Sequence, residues 1–330
     1  MKESINKAYN VLRKSAITGN SILNGIIGDH LEKNFNPASI KMNFYQNDNL
    51  IKLTSQSIKN VHPNPSPNIF ILVHGLVSNE HFWDFKETPE INYGALLEKD
   101  FNITPFYLRF NSGLHISENG QELSALIEKL FESYPIPIES INFISHSMGG
   151  LITRSACYYA EQDNKKWVTK VKKIFFLGSP HLGAPLEKLG NVTSHILKTI
   201  PNFVTNIIAS VADLRSAGMK DLRYGYIHHE EWEGKNPDAL LENNKLPIPL
   251  MKNATHYVIT GSITEDPEHF LSLWLGDSLV RKPSALAKSS DEKFCLNFEG
   301  EHLKEFPGVA HLGLMANQKV YDQIKTWIAE

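Results

Sequence analysis

The sequence predicts an α/β fold built on a mostly parallel sheet that helices cover on both faces. From residue 69 onward, short apolar runs alternate with segments of helical periodicity. Strands that are apolar throughout are buried on both faces, which is typical of parallel sheets between two helical layers. A chain of 330 residues can form such a sheet within one catalytic domain.

The expected elements follow one another in a regular order. Strands are predicted near 69–73, 103–108, 141–145, 173–177, 255–260 and 294–298. Helices are predicted near 90–99, 118–133, 148–162 and 315–328. About 75 residues separate the fourth strand from the fifth, whereas a crossover unit typically takes roughly 30. We therefore expect an insertion at about 186–250, in which an apolar stripe from Ile196 to Val211 indicates a helical cap.

The first 66 residues are expected to pack on a catalytic domain that spans residues 67–330. Apolar residues at helical spacing predict two helices, over 5–16 and 22–31, with a break at Thr18-Gly19-Asn20. A membrane-surface anchor is the alternative for these helices. Their polar faces are not strongly basic, which favours packing on the core.

A hairpin and a connector are predicted to follow these helices. The hairpin has arms at 40–46 and 50–56 around Asn47-Asp48-Asn49. Residues 62–68, HPNPSPN, predict a Pro-rich connector into the first strand of the main sheet.

Composition excludes several classes of protein. The chain has 33 basic and 36 acidic side chains, a net charge of −3, so nucleic acid is not an expected partner. Two cysteines, Cys157 and Cys295, are too few for a disulfide framework and lack metal-binding spacing, which favours a reducing compartment. The N-terminal segment shows neither a secretory signal nor a membrane span. A cytoplasmic protein without an integral membrane segment is therefore expected.

The run INFISHSMGG carries the candidate nucleophile. Ser147 directly follows an apolar strand and directly precedes a helix-compatible stretch, with Gly149 two residues later. A tight strand-to-helix turn of this kind lifts a serine hydroxyl clear of the sheet, as in the nucleophile elbow of hydrolases. Ser145 stands where the GxSxG pattern has its first glycine. An ordinary serine in a tight turn is the alternative.

Two backbone N–H groups are expected to form an oxyanion hole. The apolar strand in IFILVHGLV runs into His74-Gly75-Leu76, where the glycine lets the loop turn and the Leu76 N–H point at a substrate oxygen. The Met148 N–H, at the start of the helix after Ser147, is the second donor. His74 and His146 are expected to have structural roles.

The acid and the base are expected in late loops. Asp277, in GDSLVRKPSAL after the strand THYVIT, is the candidate acid, and Asp266 is the alternative. His311, in EFPGVAHLGLM between the last strand and the C-terminal helix, is the candidate base. His302 lies close enough to compete with it. The order Ser, Asp, His is the order in which α/β hydrolases carry their triad.

These segments resemble lipase-like α/β hydrolases, and most closely the branch around the GPI inositol-deacylase-like esterases. The resemblance lies in LVHGL at 72–76, SHSMGGLITR at 145–154, FFLGSPHLGAPLEKLGN at 175–191, GDSLV at 276–280 and AHLGLM at 310–315. It implies an α/β-hydrolase fold and the same three triad residues. It matches nothing in the N-terminal segment of roughly 65 residues and does not specify a substrate.

The expected function is hydrolysis of carboxylic esters, with a small-molecule or lipid ester as the substrate and transient membrane-surface contact. Acyl transfer from the same acyl-enzyme and a non-catalytic binding role are the alternatives. The chemistry requires no cofactor. No metal site is expected either, because His228-His229-Glu230-Glu231 lacks paired i, i+4 histidines and predicts a solvated cap surface.

Overall fold

The computed structural model describes residues 2–88, 91–184, 215–236, 243–262, 282–285, 287 and 289–330. Within them, eight strands form one sheet in the order β2-β1-β4-β3-β5-β6-β7-β8. The strands are β1 Asn43–Gln46, β2 Asn49–Leu50, β3 Asn68–Val73, β4 Thr104–Arg109, β5 Ser140–His146, β6 Val171–Leu177, β7 Thr255–Ser262 and β8 Leu303–Pro307. Strands β3 to β8 pair in parallel, whereas β1 pairs antiparallel with β2 and β4.

Helices connect and cover these strands. We number the described helices α1 Lys2–Lys33, α2 Ser55–Val61, α3 Tyr93–Phe101, α4 Ile116–Ser133, α5 Met148–Gln162, α6 Ala217–Tyr224, α7 Lys282–Ala285 and α8 Gln318–Ala329. Single 3₁₀ turns lie at Glu80–Trp83, Lys166–Lys170, His229–Glu231, Glu292–Phe294, Gly300–His302 and Leu312–Met315. None of the helices in the described ranges is long and apolar enough to cross a membrane.

The core has two layers, one on each face of the sheet. Along β3, Ile69, Ile71 and Val73 belong to a cluster that includes side chains of α1, α4 and α5. The alternate residues Phe70 and Leu72 belong to a second cluster with side chains of α3 and α8. Successive side chains of a strand point to opposite faces, so both faces of this strand are buried.

The protein therefore has the predicted α/β-hydrolase fold, a mostly parallel sheet covered by helices on both sides. The predicted strands at 69–73, 103–108, 141–145, 173–177 and 255–260 correspond to β3 to β7. In each case the apolar run found in the sequence becomes a buried strand.

The last predicted strand, at 294–298, is wrong. Asp291 begins a 3₁₀ turn there by accepting a hydrogen bond from the Lys293 N–H at 3.3 Å. The strand next to β7 is β8 instead, along which burial is only partial or absent. An edge strand needs no apolar run, which explains why hydrophobicity placed it wrongly.

The predicted break at Thr18-Gly19-Asn20 is also wrong, because α1 continues through it. The helix is interrupted at Ile27, with φ −134° and ψ 23°. On either side of that residue, a Cβ on Gly25 would lie 2.4 Å from Val77 Cγ1, and one on Gly28 would lie 1.9 Å from Asn111 Oδ1. Close packing against two loops thus accompanies the interruption, and this long-range contact is invisible in local sequence.

The hairpin lies at the predicted turn but is shorter than predicted. Asn47 and Asp48 both have positive φ, 48° and 64°, as expected for a tight two-residue turn. The second arm does not extend to residue 56. Instead, Thr54 caps α2 by accepting from the Ser57 N–H at 3.2 Å.

The predicted cap falls largely outside the described residues. The stripe from Ile196 to Val211 lies in the range 185–214, which the structure does not describe, and residues 237–242 are also outside it. The described part of the insertion contains α6 and the 3₁₀ turn at His229–Glu231.

Candidate active site

Ser147 occupies a strained turn between β5 and α5. Its backbone has φ 52° and ψ −124°, a conformation that side-chain-bearing residues rarely adopt. The Ser147 N–H donates to the Leu177 carbonyl at the end of β6 (2.9 Å), and its carbonyl accepts from Gly150 (3.0 Å). These bonds hold the serine at the carboxyl edge of the parallel strands, where α/β sheets bind their ligands.

Small residues on both sides of Ser147 let α5 approach the sheet. A Cβ on Gly149 would lie 2.5 Å from the His74 carbonyl oxygen, so this position requires glycine. Ser145 is completely buried, and its hydroxyl forms a 2.7 Å hydrogen bond with Thr153 Oγ1 on α5. A buried hydroxyl with a partner is tolerated. Thr153 therefore accounts for a serine at the usual glycine position.

The loop after β3 lies directly against the serine. A Cβ on Gly75 would be 3.0 Å from Ser147 Cβ and 3.2 Å from the His146 ring. The residue after Gly75 is Leu76, so the Leu76 N–H lies next to this contact. The Val77 N–H donates to Ser112 Oγ (3.1 Å), and Val77 has a positive φ of 56°. The loop is thus fixed by a specific hydrogen bond rather than free in conformation.

Met148 is the first residue of α5. The first N–H groups of a helix have no acceptor within that helix, and the helix dipole adds partial positive charge there. The Met148 N–H directly follows Ser147 in the chain, and the loop at Gly75 lies against the Ser147 side chain. This arrangement suits an oxygen that gains negative charge.

His311 lies between β8 and α8 and packs against Gly178, which directly follows the β6 residue that bonds the Ser147 N–H. Gly178 immediately follows Leu177, and a Cβ on Gly178 would lie 2.8 Å from both Cε1 and Nδ1 of His311. His146, the neighbour of Ser147, donates from Nε2 to the His311 carbonyl at 2.9 Å. The structure thus brings Ser147 and His311 to one site.

The His311 imidazole is buried with one nitrogen unused. Its Nε2 has no hydrogen-bond partner in the described part of the chain. Burial first, and the neighbouring His146 second, hold the pKa of His311 well below its usual range. The ring is therefore neutral at neutral pH, which is the form that can accept a proton.

His74 and His146 support these loops, as the sequence suggested. Burial lowers the pKa of His74 to about 3 and that of His146 to about 4. His74 stacks on Phe110, with ring centroids 4.2 Å apart, and its Nδ1 lies 2.9 Å from the Gly75 carbonyl oxygen. His74 thus supports the loop that contains Gly75.

The remaining candidates lie elsewhere or outside the described residues. Asp277 and Asp266 both fall in the range 263–281, which the structure does not describe. The described contacts of His302 are with Glu299 (3.4 Å) and the Tyr257 ring (4.5 Å between centroids). They place His302 beside β7, away from the contacts that join Ser147 and His311.

The His228–Glu231 segment is only in part the solvated surface that was expected, because Glu230 is exposed whereas His228 and Glu231 are buried. Glu231 is completely buried and accepts hydrogen bonds from the N–H groups of Ile227 (2.5 Å), His228 (2.7 Å) and Leu246 (2.7 Å). The Glu231 carboxylate thus stabilises the turn that leads up to it and holds the chain at Leu246 against that turn. The three-residue spacing from His228 to Glu231 is that of a capping box and was the missed signal.

Three groups of described side chains lie close enough together to share a metal ion: His228, His229 and Glu230; Asp48, Glu80 and His81; and Glu299, Glu301 and His302. In the second group Arg109 already pairs with both carboxylates. In the first, His229 Nδ1 bonds the Tyr159 hydroxyl at 3.1 Å. Protein partners thus already use several of the possible ligand atoms.

Comparison with known families links part of the chain to serine esterases. Residues 64–221, just under half of the chain, match the family described as "Putative serine esterase (DUF676)". This segment includes Leu76, Ser147 and Met148 and ends before His311. No curated protein is significantly similar to the chain in sequence.

Several solved structures resemble the chain at low identity. An esterase from Thermogutta terrifontis is 12% identical, covering 80% of this chain and 90% of its own, with a TM-score of 0.41. An esterase from Pyrococcus furiosus is 13% identical over 80% and 81%, with a TM-score of 0.44. The thioesterase RedJ from Streptomyces coelicolor is 13% identical over 81% and 91%, with a TM-score of 0.43. Similarity at this level does not bear on activity.

Proposed function

We propose that the protein is a serine hydrolase that cleaves carboxylic esters, with Ser147 as nucleophile and His311 as general base. The observation that carries the proposal is the strained Ser147 turn, placed on the same Leu177-Gly178 segment as a neutral imidazole with an unpaired Nε2. The family match over residues 64–221 supports a serine-esterase reaction independently.

In the proposed reaction, Ser147 Oγ attacks the ester carbonyl carbon while its proton moves to His311 Nε2. The carbonyl oxygen becomes an oxyanion, which the N–H groups of Leu76 and Met148 stabilise. The tetrahedral intermediate collapses, and the alcohol leaves with the proton from His311. Water then attacks the acyl-enzyme with His311 as base, and the carboxylic acid is released.

We propose Asp277 as the acid that orients His311. The support is its place in the chain, after β7 and before His311, which is the order of triad residues in this fold. A carboxylate bonded to Nδ1 selects the tautomer with a free Nε2 and stabilises the imidazolium that forms. Asp266, which follows β7 sooner, is the alternative.

For the substrate we propose an acyl ester, selected by the insertion at about 186–250. The support is the apolar periodicity of the sequence from Ile196 to Val211. A helix with this periodicity would present an apolar face that either binds a hydrocarbon chain or packs permanently on the domain. If the stripe lines the site, each added methylene contributes up to roughly 0.8 kcal/mol until the pocket is filled. A panel of p-nitrophenyl esters from acetate to palmitate measures this preference, and smaller residues at Phe203 and Ile207 should then shift it.

The decisive experiment is labelling with a fluorophosphonate. We expect covalent modification of Ser147 alone, and loss of both labelling and ester hydrolysis in Ser147→Ala, with turnover reduced about a millionfold. Ser124→Ala is the matched control, because Ser124 is also buried and its hydroxyl has no partner among the described residues. That variant should label and hydrolyse normally.

Other outcomes would decide against the proposal. Modification of a different serine, or full activity in Ser147→Ala, would refute the assignment of the nucleophile. A wild-type protein that neither labels nor hydrolyses any ester would indicate a non-catalytic binding protein. Transfer of the acyl group to an added alcohol in preference to water would identify an acyltransferase.

A further inference from the structure

A small, partly open cavity lies between α5, the segment 245–249 and the turn around residue 294. Its volume is about 80 Å³. Arg154, His181, Lys245 and Lys293 contribute the charged or titratable nitrogen groups of its lining, and none of the described lining residues carries a carboxylate. Arg154 lies seven residues after Ser147, roughly 10 Å further along the helix axis.

Several buried nitrogens at this cavity have no partner. Arg154 Nη2 donates to the Ile248 carbonyl at 2.6 Å, but Arg154 Nε has no hydrogen-bond partner in the described part of the chain. His181 is completely buried beside Phe176 and Phe298, and both of its ring nitrogens are likewise unpaired there. Buried polar groups are almost always paired, so unpaired ones point to a bound water or ion.

The charges around the cavity do not balance. The Lys245 ammonium donates to the carbonyls of Tyr224 (3.4 Å) and Gly225, which take two of its three hydrogens and carry no full charge. The nearest described carboxylate, Glu231, faces both cations and is bonded to three backbone N–H groups. One carboxylate thus faces a buried guanidinium and a partly buried ammonium.

The pKa of Lys245 reflects desolvation first and this positive charge second. Burial first, and the charge of Arg154 second, lower the pKa of Lys245 to about 7. Burial lowers the pKa of Arg154 only to about 10, so its guanidinium stays charged at neutral pH. A negative charge in the cavity would favour the protonated form of Lys245.

We propose that this cavity binds a small oxyanion of the phosphate or sulfate type, held by Arg154 and Lys245, with His181 donating from one ring nitrogen. Guanidinium and ammonium groups supply donors only, and an oxyanion supplies acceptors only. Water would fill part of the space but would leave the charges unbalanced. The volume exceeds that of one water, whose share of the liquid is roughly 30 Å³.

Binding of inorganic anions to the full chain tests the site directly. Calorimetric titration with sulfate or inorganic phosphate at constant ionic strength should give saturable binding, whereas chloride should give none. Lys245→Met should weaken sulfate binding roughly 10- to 100-fold, because one charge-assisted contact is lost. Lys173→Met is the matched control, since the Lys173 ammonium also bonds two carbonyls, those of Trp327 (2.5 Å) and Ile328 (3.3 Å), away from the cavity.

The pH dependence of sulfate binding separates a specific site from a general effect of charge. Sulfate affinity should fall as pH rises through about 7, because Lys245 then loses its proton. Lys245→Arg should retain binding and lose this dependence. The other charged or titratable groups that face Lys245 or line its cavity are Arg154, His181, Glu231, Lys293 and Cys295, with His256 beside His181. Burial keeps the pKa of His256 at about 4 and that of His181 well below its usual range, so neither titrates between pH 6 and pH 8.

The titrations also identify the source of the anion. Tight binding of inorganic anions alone would assign a free oxyanion, whereas equal binding of glycerol 3-phosphate would assign the phosphate of a larger monoester. Absence of saturable binding in the wild type would show that only water fills the cavity and would overturn the proposal. Equal sulfate affinity in Lys245→Met and Lys173→Met, with unchanged circular dichroism, would overturn it as well. These measurements do not depend on whether the protein hydrolyses esters.

Discussion

Acidification is expected to destabilise this protein steeply, because several histidines are buried in the neutral form. Burial lowers the pKa to about 4 in His62, His146 and His256, and to about 3 in His74. In an unfolded chain the pKa of the same imidazoles is about 6.5. The unfolded state therefore binds more protons as pH falls below this value. The stabilisation is complete above it and is lost progressively toward the folded pKa.

The expected loss of stability is large compared with the stability of a typical protein. Between pH 7 and pH 5, each of these four histidines should reduce the free energy of unfolding by roughly 2 kcal/mol, about 7 kcal/mol together. His181 and His311 shift in the same direction and add to the loss. Since native proteins are stable by about 5–15 kcal/mol, we expect an unfolding midpoint near about pH 5.

Urea unfolding, followed by tryptophan fluorescence and circular dichroism at several pH values between 7 and 5, measures this loss. The variant His62→Leu should reduce the slope near pH 5 by about 1 kcal/mol per pH unit. His62 suits this test because its Nε2 is unpaired among the described residues and its ring lies 5.3 Å from that of Phe106. A wild-type slope below about 1 kcal/mol per pH unit between pH 6 and pH 5 would refute the reasoning. An unchanged slope in His62→Leu would show that His62 is not one of the responsible groups.

Three further predictions concern the elbow and its partners. Gly75→Ala should lower kcat about 100-fold by displacing the oxyanion loop from the serine. Gly19→Ala is the control, because a Cβ on Gly19 would have no other atom within 4 Å. This variant should stabilise α1 by about 1 kcal/mol without affecting kcat. Asp277→Asn should reduce turnover by about four orders of magnitude through the wrong histidine tautomer, and normal turnover would exclude it as the acid. Ser145→Ala should cost about 1–3 kcal/mol of unfolding free energy by leaving Thr153 unpaired, whereas adding Thr153→Val should restore most of it; a loss in the double variant equal to the sum of the losses in Ser145→Ala and Thr153→Val would show that the pair does not interact.

The central strands and the elbow could be predicted because their signals are local. The residues of β3 from Ile69 to Val73 are all buried, and a short run of apolar residues therefore marks the strand. Ser147 was found in the same way, since a strand, a serine and a helix start lie within ten residues of one another. The sequence of one short segment therefore suffices to predict an element whose signal lies within that segment.

The elements that were wrongly placed depend on distant contacts. The interruption of α1 at Ile27 lies where Gly25 and Gly28 meet loops about 50 and 80 residues further along the chain. The edge strand β8 is held by pairing with β7 and has little apolar character of its own. Neither feature has a periodic signal in the sequence.

The same limit applies to the side chains at the candidate sites. Chain order and sequence context favoured His311 over His302, and the contact with Gly178 places His311 beside the elbow. The choice between Asp277 and Asp266 stays a prediction. The cavity of Arg154, His181 and Lys245 joins segments that are nearly 30 and more than 60 residues apart, so composition alone could not reveal it.

Several unfavourable local features lie around the elbow. Ser147 and Val77 have positive φ without being glycine, and the ring nitrogens His146 Nδ1 and His311 Nε2 are buried without described partners. Each such feature costs free energy, roughly 1–3 kcal/mol, and persists where the surroundings fix it and a function requires it. In the proposed reaction, attack on a bound ester would pass the Ser147 proton to His311 Nε2 and place a developing negative charge beside the strained loops. By the same reasoning, the unpaired nitrogens of His181 and Arg154, at the cavity proposed to bind an oxyanion, indicate a second ligand.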